Sequence, residues 1–368
     1  MKAKIILGIC ISFLIAFTVM SVLPVSGEEE IYDNMIRLHV LANSDSPEDQ
    51  ELKLKVRDAV LCDTDRGLFL IKEVRVSEKR LRLLEQLGKH IREQGYENID
   101  WILKNKEDGL IVVSEEGTKY FLKKWFAGRE CDIYKEKDVL DAVENLTRVH
   151  RVLRNFSPEE SDECFFMTEG EDLRQEFFRH NREMKKVRNF MRDRAGKGDF
   201  ELTFLKHFDA MYARADQALE ELRASNYEEL YNDSIKAGKM IHGDYNYHNV
   251  LMTFSGMATT NFEHVQKNLQ IVDLYYFLRK VMEKHHWDVE LGDKILNCYQ
   301  KYLPFKEGEL KFIAISLAYP EKFWKTANTY YRSRMVWIPA KNLEKLEMVI
   351  KQTEEKKEFL DTIFSFHL

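Results

Sequence analysis

The sequence predicts an α+β chain of two lobes, a small strand-bearing lobe followed by a mostly helical one. Three observations predict it. Between residues 68 and 126 the apolar pattern runs strand, helix, strand, strand. Beyond residue 136, long apolar periods at helical spacing dominate, and proline is scarce at six. Within that helical part, short strand-like runs bracket a ten-residue stretch, His242-Gly243-Asp244-Tyr245-Asn246-Tyr247-His248-Asn249-Val250-Leu251. A chain of 368 residues is long enough for one large two-lobed domain or two modest ones.

Bulk properties narrow the function classes. The balance of 56 basic against 62 acidic residues, net −6, gives no reason to expect nucleic-acid binding. The 23 Phe, 16 Tyr and 5 Trp suffice for a well-filled core and argue against wholesale disorder. Cys10, Cys62, Cys131, Cys164 and Cys298 form no CxxC and have no His at zinc-ligand spacing, so reduced thiols are expected.

Taken in order, Lys2 and Lys4 precede an uncharged run from Ile5 to Val25 that is long enough to span a bilayer. Val25-Ser26-Gly27 offers small residues suited to cleavage before Glu28. Residues 1–27 are therefore expected to be a hydrophobic helix, either a signal peptide or a membrane anchor, with membrane association through residues 5–25. In Asn43 to Asp49, Ser46 is a candidate N-cap, Pro47 takes the first helical position and Asp49 completes a capping box. This helix is expected to reach about Leu61, with Leu52, Val56, Ala59 and Val60 on its apolar side.

Asp63 to Gly67 reads as a turn and Leu68 to Val74 as a strand. Ser77 to Gln94 is an amphipathic helix with Leu81, Leu84, Leu87, His90 and Ile91 on one side, closed by Gly95. Gly109 to Val113 and Lys119 to Phe126 are strands split by a Glu-Glu-Gly turn. In the helical part, Val139, Val143, Leu146, Val149 and Leu153 form one face, and Leu202, Leu205, Phe208, Tyr212, Ala215, Leu219 and Leu222 another. Met240-Ile241, Val250 to Met252 and Ala258 to Thr260 are short strands, and Asp273 opens a helix from Leu274 to His285.

Two resemblances sit on these residues. Ile36-Arg37-Leu38-His39-Val40-Leu41-Ala42-Asn43-Ser44-Asp45-Ser46-Pro47-Glu48-Asp49-Gln50, continuing through Leu54 to Val60, resembles the start of the stage II sporulation protein R family. That likeness covers about residues 1–61 and implies an exported signal that triggers processing of a mother-cell sigma factor. The loop His242 to Asn249 resembles the HGDxxxxN loop of aminoglycoside and choline kinases. More closely, residues 62–368 resemble the CotS family of bacterial spore coat proteins, which shares that fold. The words that carry this are Lys119-Tyr120 to Trp125, Gly128-Arg129-Glu130-Cys131, the loop itself, Asp273-Leu274-Tyr275 and Phe277-Leu278-Arg279-Lys280. Others are Glu283-Lys284-His285, Trp287-Asp288, Tyr319 to Trp324 and Trp337-Ile338-Pro339. The implied architecture is a two-lobed protein-kinase-like fold of the aminoglycoside phosphotransferase type. Its small lobe, residues 62–126, would lack its first two strands and leave Phe69 and Ile71 without neighbours; residues 127–368 form the large lobe.

The resemblance also implies roles. Phosphoryl transfer needs a carboxylate to orient the attacking hydroxyl, Mg²⁺ to offset phosphate charge, and a lysine on the nucleotide. Asp244 takes the catalytic-base position and Asn249 a metal contact. Lys72 takes the nucleotide lysine position with Glu85 as its helix partner. His242 and Asp273 anchor the loop, Asp273 as a buried anchor or an N-cap. Asn261, in Thr260-Asn261-Phe262, stands where relatives place the main Mg²⁺ carboxylate, and an amide brings no charge to a hard cation. Glu263 is the candidate substitute ligand. No GxGxxG turn precedes Lys72 to cover phosphates. ATP and Mg²⁺ are therefore weak cofactors at most, and a pseudokinase is expected over an active kinase.

Three functions follow from these readings: a coat component on the mother-cell side of the spore with other coat proteins as partners, an ATP-dependent kinase using Asp244, or an exported sporulation signal. The leader and the kinase-like part call for different compartments, so two reading frames fused near Leu61-Cys62 are expected. The basic run Arg179 to Arg194 reads as a solvated helix face, Phe323, Trp324, Tyr330, Tyr331 and Trp337 as helix packing, and His150 as a core histidine.

Overall fold

The computed structural model describes residues 37–38, 59–158, 169–332 and 340–367. The leader, the expected helix start at Ser46-Pro47, Cys10, Cys164 and Trp337-Ile338-Pro339 lie outside the described residues. The chain divides into two compact units. The first takes the residues through Glu130 together with Phe156–Met167 and His248–Glu263, and the second takes the rest. The last four residues of the ten-residue motif, His248 to Leu251, and the segment that follows them thus belong to the strand-bearing unit.

The first unit is built on an antiparallel sheet of β1 (Arg37–Leu38), β2 (Ala59–Thr64), β3 (Gly67–Glu73), β4 (Ile102–Leu103), β5 (Val112–Val113) and β6 (Lys119–Lys124). Its order is β1-β2-β3-β6-β4, with β5 also on β6. Residues 59–61, expected at the end of a helix, are strand. Val60 and Cys62 alternate onto the face that packs against Ile71, and this β-type alternation outweighs helix continuation. Strand β3 consequently has neighbours on both edges. Phe69 opposes Cys62 on one side and Lys124 on the other; Ile71 opposes Val60 and Leu122. The β2–β3 turn closes through Gly67 at φ 113, with the Thr64 hydroxyl donating to the Gly67 carbonyl at 2.9 Å.

Helix α1 (Glu78–Glu93) is capped by Ser77, whose hydroxyl accepts from the Arg80 amide. Leu81, Leu84, Leu87 and Ile91 form its buried stripe. A smaller antiparallel sheet joins β7 (Gly128–Glu130), β8 (Val250–Thr253) and β9 (Gly256–Thr259) in the order β9-β8-β7. The Thr259 amide donates to the Asn98 carbonyl, which docks this sheet beside the turn before β4.

The second unit is helical: α2 (Glu136–Val152), α3 (Leu173–Asp193), α4 (Asp199–Ala224), α5 (Tyr227–Lys236), α6 (Ile271–Met282), α7 (Val289–Tyr302), α8 (Glu309–Ala318), α9 (Glu321–Arg332), α10 (Ala340–Lys351) and α11 (Thr353–Phe364). A short antiparallel pair brackets the loop motif, Met240–Ile241 before it and Gln266–Lys267 after it. The inner stripe of α4 runs Phe204, Phe208, Met211, Ala215, Ala218 and Leu222, and Leu202 lies on the solvent side, half exposed. Phe208, Ala215, Leu219 and Leu222 of the expected face are inside, and Leu205 and Tyr212 are half-buried at its edge. Helix α6 starts at Ile271, so Asp273 sits inside its first turn. The basic residues of α3 face outward, with Phe177, His180, Met184, Val187 and Met191 inside.

Stacked rings fill the core: Phe204 on Phe323 at 4.9 Å, Phe177 on Tyr319 at 3.8 Å and Trp324 on His180 at 3.4 Å. Tyr330 is buried as well, while Tyr331 is exposed. Burial, the larger cause, and the neighbouring Arg179 lower the His180 pKa to about 4. Phe323 has no exposed surface. Phe323→Ala is expected to lower unfolding free energy by ~3–5 kcal/mol, read as a fall in the denaturant midpoint.

Candidate functional site

The loop of the second unit is held through its backbone. The Asp273 carboxylate, buried in the first turn of α6, accepts from the His242 amide at 2.7 Å and the Gly243 amide at 3.0 Å. His150 Nε2 lies 3.2 Å from the same carboxylate, and His150 Nδ1 lies 2.9 Å from the Tyr299 hydroxyl. The buried His150 is thus fully partnered, and Asp273 acts as a loop anchor inside the helix rather than as its cap. His242 is buried too; its Nδ1 accepts from the Asp244 amide at 3.2 Å.

Gly243 has φ 81, and a Cβ built there would lie 2.2 Å from the His264 carbonyl oxygen. Only glycine fits, on conformation and on space alike. Tyr245 points inward and donates to the Ala142 carbonyl at 2.7 Å. Asp244 is left half-buried. Its Oδ1 accepts from the Asn246 amide at 2.9 Å, and its carboxylate also accepts from the Tyr276 hydroxyl. Burial first, then the Asp244 charge, pushes the Tyr276 pKa well up. The arrangement presents one carboxylate on a loop whose backbone does not depend on it.

The first unit gathers the remaining candidates around a residue the sequence reading passed over. Lys123 is 2% exposed. Its ammonium donates to Asp100 Oδ2 at 2.6 Å, Glu263 Oε1 at 3.0 Å and Asn261 Oδ1 at 3.0 Å. Lys72 donates to the same Glu263 oxygen at 2.7 Å. The carboxylate partner of Lys72 is therefore Glu263, and Glu85, half-buried on α1, does not take that role. Asn261 adopts φ 66, a left-handed conformation that asparagine tolerates, with its amide donating to Asp100 Oδ2 at 2.7 Å. Its side-chain Nδ2 donates to Asn249 Oδ1 at 2.8 Å, and Asn249 is buried. The Arg80 guanidinium donates to the Glu263 carbonyl at 3.0 and 3.3 Å.

Burial and charge pull against each other in this cluster; at Asp100 burial is the larger and raises the carboxyl against the pull of Lys123 and the Asn261 amide. Burial raises Glu263, but the ammonium groups of Lys123 and Lys72 overcome it and hold the carboxyl well below the usual range. Burial lowers Lys123, but Asp100 and Glu263 outweigh it and raise the pKa, so the ammonium stays charged. Lys123, Asp100 and Arg80 each left a sequence signal. In Phe121-Leu122-Lys123, strand alternation puts the lysine on the same face as the buried phenylalanine. Asp100 lies between Ile99 and Trp101, and Arg80 stands one position before the first buried leucine of α1.

Comparison with known proteins adds two likenesses. Residues 32–124 match the family model of Stage II sporulation protein R, a longer stretch than the expected 1–61. The chain is 24% identical over 306 residues to spore coat protein S of Bacillus subtilis, spanning 82% of this chain and 85% of that one. Among solved structures, an aminoglycoside phosphotransferase from Alicyclobacillus acidocaldarius superposes with a TM-score of 0.72 at 16% identity, over 92% of this chain and 96% of that one. A spectinomycin phosphotransferase in complex with ADP and spectinomycin superposes with a TM-score of 0.58 at 12% identity, over 91% of this chain and 98% of that one. The fold is kinase-like, of the aminoglycoside phosphotransferase type. No helix among the described residues is long and apolar enough to cross a membrane.

Gly243→Ala is expected to cost at least ~2 kcal/mol, because it strains φ and drives Cβ into a carbonyl. The readout is a lowered melting temperature.

Proposed function

We propose that this chain is a spore coat component whose kinase-type fold works in coat assembly or structure rather than in phosphoryl transfer. The likeness to spore coat protein S, over more than four-fifths of both chains, carries the reading. Other coat proteins are its partners, and the mother-cell side of the spore is its place.

The chemistry of the first unit supports a non-catalytic role. Mg²⁺ asks for six hard oxygens in near-octahedral geometry, several of them water. Here the Asn249 oxygen accepts from Asn261, the Asn261 oxygen accepts from Lys123, and Glu263 Oε1 accepts from two ammonium groups. Glu263 Oε2 is the one carboxylate oxygen of this residue without a hydrogen-bond partner among the described residues, and a single such oxygen beside two ammonium groups does not make the oxygen shell that Mg²⁺ asks for. Lys72 is likewise engaged with Glu263, and the sequence supplies no glycine-rich phosphate cover before it.

A second reading, an active phosphotransferase, is favoured by one observation: Asp244 remains on a rigidly anchored loop. The nucleotide-bound spectinomycin phosphotransferase shows that a protein of this fold holds ADP. An exported sporulation signal draws on the family match at residues 32–124 and is the third reading.

A fluorescent fusion in sporulating cells is expected to encircle the forespore and to fractionate with coat protein; a secreted or diffuse product overturns the coat role. Purified protein is expected to show no Mg²⁺-dependent ATP turnover. Turnover abolished by Asp244→Ala would favour the phosphotransferase instead.

A further inference from the structure

We propose that Lys123 is a tethered cation: its ammonium takes the place of a divalent metal in the acidic cluster of the first unit, which therefore binds none. This deepens the non-catalytic reading given above and rests on it, but it is tested on a separate property.

Coordination is the first argument. An ammonium has three donors and no acceptor. Lys123 directs its donors to oxygens from three residues, Asp100, Asn261 and Glu263, at 2.6 to 3.0 Å. Two of those residues, Asn261 and Glu263, are the ones the fold would offer to a metal. Backbone alternation delivers the group: Phe121 and Lys123 share the inward face of β6, so the lysine stem runs among apolar side chains and its charge lands on the carboxylates.

Charge balance is the second. Lys72 and Lys123 face Asp100 and Glu263, two ammonium groups against two carboxylates. The amide at Asn261 keeps this balance, and an aspartate there would add a third carboxylate. A divalent ion in the cluster as it stands would leave buried positive charge without a partner, which is costly. Arg80 adds positive charge next to Glu263 through its contact with the carbonyl.

The test is Mn²⁺ titration of the purified full chain, followed by electron paramagnetic resonance of free Mn²⁺, with melting temperatures in EDTA and in millimolar Mn²⁺. The wild type is expected to bind no Mn²⁺ and to melt at the same temperature in both. Lys123→Met removes the charge at similar volume; it is expected to melt lower in EDTA, to bind Mn²⁺ at least tenfold more tightly than the wild type and to recover part of the loss in Mn²⁺. Wild-type Mn²⁺ binding that disappears in Glu263→Gln overturns the proposal, and so does a folded Lys123→Met that gains neither binding nor recovery. If Lys123→Met does not fold, the wild-type and Glu263→Gln measurements decide. A coat fusion at the wrong place would remove the coat reading and leave these results standing.

Discussion

The strand-bearing unit is organised around one buried ammonium. Lys123 joins a strand residue to Asp100, 23 positions away, and to Asn261 and Glu263, 138 and 140 positions away. The β7–β8 pairing and the Thr259–Asn98 backbone bond dock the 248–263 segment, and the side-chain cluster ties its far end, Asn261 and Glu263, to β6. Removing one member of such a group leaves an uncompensated charge in the interior, a cost of about 3–5 kcal/mol. Lys72 shares Oε1 of Glu263 with Lys123 and Arg80 holds its main-chain carbonyl, which makes the strand-end lysine and the first helix part of the same device, while Glu263 Oε2 is buried without a hydrogen-bond partner among the described residues.

Much of the architecture was legible because it is locally encoded. The Ser77 cap, the leucine stripe of α1 and the positive φ at Gly95 all lie within one stretch of chain, and the helix is found where the pattern puts it. The α2 face of Val139, Val143, Leu146 and Val149 is equally plain. What was missed depends on distant partners. Ala59 to Leu61 read as a helix end because their apolar spacing suits either state, and the pairing with β3 decides it. Glu85 looked like the partner of Lys72 because it lies on the right helix, whereas the carboxylate that reaches Lys72 comes from 191 residues away. A lysine in a strand is normally an edge or surface residue, so Lys123 drew no notice.

The two likenesses bear on the expected junction at Leu61-Cys62. The match to the sporulation protein R family crosses that point, and strand β2 does so as well. With 82% of the chain aligned to spore coat protein S and residues 32–124 aligned to the other family, the two likenesses share residues. A single sheet accommodates both, since β2 pairs with β3 along its full length. The strand contributed from the N-terminal side supplies the neighbour that Phe69 and Ile71 were expected to lack.

Asp273 grips the loop by two main-chain amides, and Gly243 fits against a main-chain carbonyl. Neither contact involves the side chain of residue 244. These main-chain contacts would persist whatever side chain stood at 244, although Asn246 and Tyr276 also donate to the Asp244 carboxylate. Selection on folding alone would preserve His242, Gly243 and Asp273, whether or not the carboxylate beside them performs chemistry. Motif retention in a chain of this kind is a record of mechanical need, and ancestry and present activity have to be read from different atoms.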